Sequence, residues 1–190
     1  SLAEEPGMLF VHAYDDPDIV AGQGTLGLGI HEQVPDVDTV IVPIGGGGLI
    51  GGISTALKAL DDSVRVIGVQ AELASTVHES LRKGSPVDEE SPKTIADGIA
   101  TGSISELTLS LIEEHVDEVV TVSDDDIARA ILVVLERAKQ LVEGAGAAAV
   151  AAMLSDRVDV EGETVVPLLC GGNIDMSMLQ TVLTHALTDR

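Results

Sequence analysis

The stretch Pro43-Ile44-Gly45-Gly46-Gly47-Gly48-Leu49 decides how this chain folds. It joins an apolar run rich in Val and Ile, residues 39–44, to an amphipathic stretch, residues 48–60. Such a run is typical of a strand buried on both faces of a parallel sheet. Four glycines let successive N–H groups face one anion, and the following helix adds its positive end. We therefore predict a strand–turn–helix unit that binds a phosphate group. It is not a nucleoside-triphosphate loop, because no Gly-Lys-Ser/Thr follows.

On both sides of this unit, short apolar runs alternate with longer amphipathic stretches. The alternation predicts an α/β fold with a mainly parallel twisted sheet and helices on both faces, whose ligands bind beyond the carboxyl ends of the strands. Ser123 and Asp126 are expected to form a capping box at the start of the longest helix. The predicted strands are residues 9–13, 39–44, 64–70, 118–122 and 164–169, and the predicted helices are residues 17–34, 48–60, 74–83, 107–115, 124–142, 144–155 and 175–187.

A second glycine turn, Cys170-Gly171-Gly172-Asn173, follows the last predicted strand. Cys170 stands at that strand's carboxyl end, where its thiol can face a ligand. The alternative interpretation of a lone cysteine is a small buried side chain of the core. A cysteine nucleophile is disfavoured, because no basic residue stands beside Cys170 in the sequence to lower its pKa.

The composition excludes several classes of protein. With 10 Lys and Arg against 32 Asp and Glu, the net charge is −22, which argues against nucleic acids and membranes as partners. Hydrophobic residues make up 45% of the chain, which is enough to build a core. A single cysteine forms no intramolecular disulfide, and we expect a reducing, cytoplasmic compartment. The scarcity of basic residues leads to the hypothesis of a salt-adapted, halophile-like cytoplasm, in which dense salt screens self-repulsion, and an ordinary solvated acidic surface is the alternative.

A dinucleotide-binding module is the main alternative from another class of protein. Gly46, Gly48 and Gly51 match the glycine spacing of the dinucleotide fingerprint after a strand. Glu72, just after the next strand, stands where an acidic residue binds the ribose in such modules. The second glycine turn does not belong to that fingerprint, which favours a different cofactor.

Seven short segments stand out in order along nearly the whole chain. They are Asp15-Asp16-Pro17, Ala21-Gly22-Gln23-Gly24-Thr25, Val42-Pro43-Ile44-Gly45-Gly46-Gly47-Gly48-Leu49, Val66-Ile67-Gly68-Val69-Gln70, Ala96-Asp97-Gly98, Glu143-Gly144-Ala145-Gly146-Ala147 and Gly171-Gly172-Asn173. Together they resemble the threonine dehydratase (threonine ammonia-lyase) family of fold-type II pyridoxal-phosphate enzymes. The resemblance implies the large cofactor-binding half of the tryptophan synthase β-like fold, with pyridoxal 5'-phosphate as the cofactor.

The resemblance also assigns roles to individual residues. Cys170 stands where the family has a Ser or Cys whose side chain hydrogen-bonds the pyridine nitrogen of the cofactor. Glu143 lies near the cofactor ring in relatives, although a surface acid at a helix end is an equal alternative. The cofactor phosphate is expected to bind the backbone N–H groups of Gly45, Gly46, Gly47, Gly48 and Leu49.

A cation site is a further implication of the resemblance. Glu72 aligns with a ligand of a monovalent or divalent cation in some relatives. Where those relatives place another acid, this chain has His78.

One departure from the family concerns the lysine that binds the cofactor as a Schiff base. In the family it lies in a Ser-x-Lys-x-Arg-Gly segment upstream of these motifs, and no lysine of this chain has such a setting. The resemblance therefore implies that residues 1–190 are a partial catalytic domain, the cofactor-binding half, without the upstream lysine-bearing segment, the small substrate domain or a regulatory domain. No catalytic residue is expected within it. The four lysines are Lys58, Lys83, Lys93 and Lys139.

The implied activity belongs to the complete enzyme. It would act on a small amino-acid substrate, converting L-threonine, and L-serine, to a 2-oxo acid and ammonia, with a role in isoleucine biosynthesis. Serine racemase and threonine synthase are alternatives within the same fold. The complete enzyme is expected to be a homo-oligomer, and the isolated chain is expected to be inactive.

Overall fold

Four parallel strands form the sheet in residues 8–90 and 93–188, which are the residues that the computed structural model describes. The strand order is β3-β2-β1-β4, and every neighbouring pair is parallel, as the sequence predicted. Val40 of β1 is paired with Val66 on one side and with Val166 on the other. The strands are β1 Thr39–Pro43, β2 Arg65–Ala71, β3 Glu118–Val122 and β4 Val165–Pro167.

Helices cover both faces of this sheet, because successive side chains of each strand point to opposite sides. Ile41 packs into the core shared with α5, α6 and α7, whereas Val40 and Val42 pack into the core shared with α1, α2 and α4. Within the described residues, no helix combines the length and apolarity needed to cross a bilayer. The helices are α1 Pro17–Gln33, α2 Gly48–Leu60, α3 Thr76–Lys83, α4 Glu106–His115, α5 Asp124–Val133, α6 Gly144–Leu154 and α7 Met176–Thr188.

The direction of strand addition reverses at β1. From β1 the chain adds β2 and then β3 on one side, and it later returns to add β4 on the other side. The carboxyl ends of β1 and β4 therefore lie side by side, and the connections that follow them diverge. A crevice at such a reversal is the usual ligand site of an open α/β sheet.

Two local predictions about this framework are confirmed. Gly48–Leu60 is helical over the predicted range, and Gly47 is its N-cap. Ser123 accepts a hydrogen bond from the N–H of Asp126, while the Asp126 carboxylate bonds the Ser123 N–H, which completes the capping box of α5. Local hydrogen bonds and glycine turns fix these boundaries without help from distant residues.

The strand predicted over residues 9–13 is wrong, because residues 8–13 have no regular secondary structure. A strand is stable only when a neighbour satisfies its backbone N–H and C=O groups, and the described part of the sheet offers none here. Leu9 and Phe10 are consequently 87% and 66% exposed.

Two predicted elements are shorter than expected. The helix predicted over residues 124–142 ends at Val133, passes through one π-helical turn, Val134–Ala138, and stops at Lys139, which has a φ of +58°. A left-handed residue cannot continue a right-handed helix. Strand β4 has three residues instead of six, and within the described residues it pairs with β1 alone, over Val165–Pro167.

Candidate functional site

The glycine turn after β1 carries a row of backbone donors with no partner. The N–H of Ile44 still bonds the carbonyl of Val69 at 2.8 Å, which is the last sheet contact of this segment. From Gly45 to Leu49, the N–H groups donate to no acceptor in the described ranges. These residues line a cavity of about 330 Å³ at the carboxyl ends of β1 and β4. Unpaired N–H groups at the start of a helix are the usual setting in which proteins bind an anion, and here the helix has 13 residues.

Glycine is required at Gly47 by conformation and by space. Its φ is +90°, in the left-handed region where a side chain is strained. A Cβ atom there would lie 2.9 Å from Cβ of Thr108, which α4 places behind the turn. The four-glycine run is therefore an adaptation to a specific backbone path.

The second glycine turn supplies the opposite wall of the cavity. Cys170 follows β4 and is partly buried there, as its position at the strand's carboxyl end predicted. Gly171 has a φ of +103°, and its carbonyl accepts the N–H of Glu143 at 3.2 Å. The structure thus brings together the glycine loop, Cys170 and Glu143, which lie far apart in the sequence.

Glu143 stands at the N-terminus of α6 and holds this second turn in place. Its Oε2 accepts the N–H of Asn173 at 2.7 Å, and its carboxylate covers Gly171, where a Cβ atom would lie 2.6 Å from Oε1. It also lines the cavity. The alternative of a solvent-facing surface acid does not account for these contacts.

The Cys170 thiol stays protonated in this environment. Burial is the main cause that raises its pKa above the ordinary value, and the neighbouring Glu143 carboxylate raises it further. Cys170 lines the cavity, and its neutral thiol is a hydrogen-bonding group and a poor nucleophile.

Sequence reasoning missed two residues with polar side chains in this cavity, Tyr14 and Thr101. The Oγ1 atom of Thr101 is buried and has no hydrogen-bond partner among the described residues, so a ligand atom can satisfy it. Tyr14 is the only tyrosine in the chain, and this rarity is the one signal that singles it out in the sequence.

The proposed cation ligand Glu72 lies away from the cavity. Its Oε1 forms an ion pair with Arg157 at 3.0 Å, and His78 is exposed. Within the described ranges, no group of three His, Cys, Asp or Glu residues is arranged to hold a metal ion. In the dinucleotide alternative the Glu72 carboxylate would bind a ribose, but here it is paired with Arg157. The cation site stays a prediction.

No lysine lines the cavity in the part of the chain that the structure describes. Lys58 is paired with Asp117 at 3.0 Å, and the Nζ of Lys139 donates to the carbonyl of Glu136 at 2.6 Å.

Comparison with known proteins identifies the family. The family described as pyridoxal-phosphate dependent enzyme matches residues 1–171. The chain belongs to this family.

The relatives within this family include threonine-degrading enzymes and a racemase. An L-threonine ammonia-lyase from Thermotoga maritima is 47% identical over 98% of the chain and 46% of its own length. The structure of the processed form of threonine deaminase isoform 2 from Solanum lycopersicum superimposes with a TM-score of 0.90, at 33% identity over 98% of this chain and 52% of that one. The structure of maize serine racemase superimposes with a TM-score of 0.88, at 34% identity over 99% of this chain and 58% of that one. The chain spans about half the length of the curated relatives it matches.

The cavity fits the cofactor of this family. Its unpaired N–H groups suit a phosphate, and the protonated thiol of Cys170 on the opposite wall suits a neutral ring nitrogen. Thr101 also lines the cavity, and its hydroxyl is left without a partner among the described residues. In pyridoxal-phosphate dependent enzymes the cofactor acts as an electron sink for reactions of amino acids.

Proposed function

We propose that this chain is the cofactor-binding half of a threonine ammonia-lyase. The observation that carries the proposal is the crevice between β1 and β4, in which a row of unpaired N–H groups faces a neutral thiol. One wall offers the site for a phosphate and the other wall offers a partner for a ring nitrogen. The distance between the two turns is set by the pairing of β1 with β4.

In this proposal, Gly45 to Leu49 bind the cofactor phosphate through their N–H groups, and the start of α2 stabilises its charge. Cys170 hydrogen-bonds the pyridine nitrogen. Because its pKa is raised, the thiol does not act as an anion that would draw a proton onto that nitrogen. An unprotonated ring is a weaker electron sink, which suits β-elimination of a hydroxyl group.

Glu143 holds the second turn through Asn173, so that Cys170 keeps its position against the cavity. Its negative charge also keeps the thiol protonated. Glu143 is thus a positioning residue for Cys170 in this proposal. This role is compatible with the closeness of the equivalent acid to the cofactor ring in relatives.

The proposed substrates are L-threonine and L-serine. For threonine, the α-proton and the β-hydroxyl leave as one water molecule, and a second water molecule then hydrolyses the resulting imine to 2-oxobutanoate and ammonia. The lysine in the segment outside these motifs would take the α-proton. Similarity to the Thermotoga maritima and Solanum lycopersicum enzymes supports this choice.

Serine racemisation is the second candidate function, because maize serine racemase is nearly as similar in structure. Threonine synthase is a further alternative within the fold. The dinucleotide-binding module is disfavoured, since the chain belongs to a pyridoxal-phosphate family and Glu72 is engaged by Arg157.

Several finer features belong to the same proposal. We propose that residues 1–190 are part of the catalytic domain of the complete protein, namely its cofactor-binding half. A homo-oligomer, a cytoplasmic location, a role in isoleucine biosynthesis and a salt-adapted host are further elements of the proposal. The acidic composition supports the salt-adapted host, whereas relatives described as catabolic threonine dehydratases do not favour the biosynthetic role.

The test is to co-express the chain with a segment that carries the Schiff-base lysine and to assay L-threonine, L-serine and D-serine. We expect 2-oxobutanoate from L-threonine. The matched variant Cys170→Ser retains a small neutral hydrogen-bonding group and should keep most of the activity, whereas Cys170→Asp introduces a negative charge and should lose it. D-serine formed from L-serine without 2-oxo acid would favour the racemase. Equal activity in both variants would show that Cys170 is an ordinary core residue.

A further inference from the structure

Tyr14 packs directly against the glycine loop. A Cβ atom built on Gly46 would lie only 2.2 to 2.4 Å from Cδ1, Cε1 and Cγ of the Tyr14 ring. A Cβ atom on Gly48 would lie 2.9 Å from Cβ of the same tyrosine. The ring therefore occupies the space that side chains at both glycines would need. This contact explains why Gly46, which has no positive φ, must still be glycine.

The Tyr14 hydroxyl connects this wall of the cavity to another. It lies 3.2 Å from the carbonyl oxygen of Ser103 and 3.1 Å from its Oγ. The segment leading to Ser103 packs on the other side of the loop, where Cγ2 of Thr101 lies 3.2 Å from a Cβ built on Gly45. The loop is thus held between the Tyr14 ring and the Thr101 side chain, and one hydrogen bond ties the two sides together.

The turn that carries Tyr14 is itself fixed. The Nδ1 atom of His12 accepts the N–H of Asp15 at 2.8 Å and that of Tyr14 at 3.3 Å, and the two rings meet edge to face at 4.6 Å. Asp16 then caps α1 by accepting the N–H of Asp18 at 2.8 Å. Tyr14 is therefore attached to a helix N-terminus, although residues 8–13 have no regular secondary structure.

From these contacts we propose that Tyr14 is a positioning residue for phosphate binding: its ring holds the glycine loop in the anion-accepting conformation, and its hydroxyl fixes the cavity wall at Ser103. The inference rests on the proposed function, since the phosphate is that of the cofactor. Tyr14 acts through the loop and needs no contact with the phosphate itself.

The test compares the affinity of the chain for pyridoxal phosphate and for inorganic phosphate by calorimetry. Tyr14→Phe keeps the ring and loses the hydrogen bond, so we expect affinity to fall about twofold to tenfold, the value of one hydrogen bond. Ser103→Ala leaves the carbonyl acceptor and should have a smaller effect. Leu9→Ala is the control, because Leu9 belongs to the same segment, is 87% exposed and lies outside the cavity, and it should not change the affinity.

A double-mutant cycle tests the ring contact. Gly46→Ala in the wild-type background should abolish binding and lower the melting temperature, because the new Cβ meets the ring. In the Tyr14→Ala background, Gly46→Ala should have little further effect on the affinity or on the melting temperature. Equal losses in both backgrounds would overturn the inference.

Fluorescence locates the binding event independently. Since the chain has one Tyr and no Trp, its tyrosine emission comes from Tyr14 alone, and bound pyridoxal phosphate should quench it. If the wild type binds pyridoxal phosphate and the Tyr14 variants bind it with the same affinity, this inference is overturned and the proposed function stands. No binding by the wild type would overturn both.

Discussion

Gly47 and Gly84 share a left-handed backbone conformation but differ in their surroundings. Their φ values are +90° and +70°, and a Cβ on Gly84 would meet nothing within 4 Å, whereas one on Gly47 would meet Thr108 at 2.9 Å. Substitutions at these two glycines therefore separate the loss of stability caused by the backbone conformation from the loss of binding caused by a clash beside the cavity.

At this residue scale we predict that Gly84→Ala lowers the free energy of unfolding by about 1–2 kcal/mol and leaves phosphate affinity unchanged. Gly47→Ala should cost more than this and abolish binding, because the loop has to move away from Thr108. Chemical denaturation and calorimetry measure the two effects. Equal loss of binding in both variants would mean that general destabilisation, and not loop geometry, weakens the site.

The Cys170 thiol gives a second residue-scale prediction. Because burial and Glu143 raise its pKa, alkylation by iodoacetamide should become rapid only at a pH above that typical of an exposed thiol. Glu143→Gln removes the negative charge but retains an oxygen for the Asn173 N–H, so the pH at half-maximal rate should fall. Glu161→Gln, an exposed change away from the cavity, is the control and should leave the profile in place. An unchanged profile in Glu143→Gln would contradict the electrostatic role.

At the element scale, two helices differ in how their first turn is satisfied. Ser123 forms the capping box of α5, whereas Ser75 occupies the N-cap position of α3 without a capping hydrogen bond from its side chain. We predict that Ser123→Ala costs about 0.5–2 kcal/mol of unfolding free energy and that Ser75→Ala costs clearly less. Urea denaturation of the two variants provides the comparison, and equal costs would show that the box adds no stability.

The interruption of the helix after Val133 is also explained at the element scale. Helix propensity continues past Val133 in the sequence, but the chain must reverse at Lys139 to start α6 at Gly144. A Cβ at Gly144 would lie 2.3 Å from the carbonyl oxygen of Ile95, so this helix starts in close contact with another segment. That contact is a tertiary constraint, and local propensity does not record it.

At the scale of the whole molecule, the net charge of −22 dominates the electrostatics. With 32 acidic and 10 basic residues, most carboxylates have no basic partner, and their repulsion opposes the folded state. Raising KCl from about 0.1 M to about 1 M shortens the screening length from about 10 Å to about 3 Å, so the melting temperature should rise. NaCl at equal ionic strength is the control and should act equally. A melting temperature that is constant or falls with salt would contradict the prediction.

The isolated chain should not turn over L-threonine, because no lysine lines the cavity within the described residues. Incubation with pyridoxal phosphate, borohydride reduction and peptide mapping should find no single preferred lysine. Lys58 in its ion pair with Asp117 serves as an internal reference for a lysine remote from the site. Specific attachment at one lysine together with 2-oxobutanoate formation would refute this expectation.

The sequence by itself determined the elements whose signals are local. A buried apolar run, four glycines and a helical pattern predicted β1, the turn and α2, and the N-cap residues Asp16 and Ser123 marked the starts of α1 and α5. The family motifs also identified the glycine loop and Cys170 as parts of one site. These features depend on neighbouring residues and on backbone conformation, so they can be predicted without a tertiary structure.

Only the tertiary structure decided which distant segments meet. The placement of β4 beside β1 brings Cys170 and Glu143 against the glycine loop, and the turn at His12 puts Tyr14 on Gly46. The lack of a neighbouring strand in the described sheet leaves residues 8–13 without regular structure, although their apolar pattern is typical of a strand. Strand pairing and close packing join residues that are far apart in the chain, and no local pattern specifies those partners.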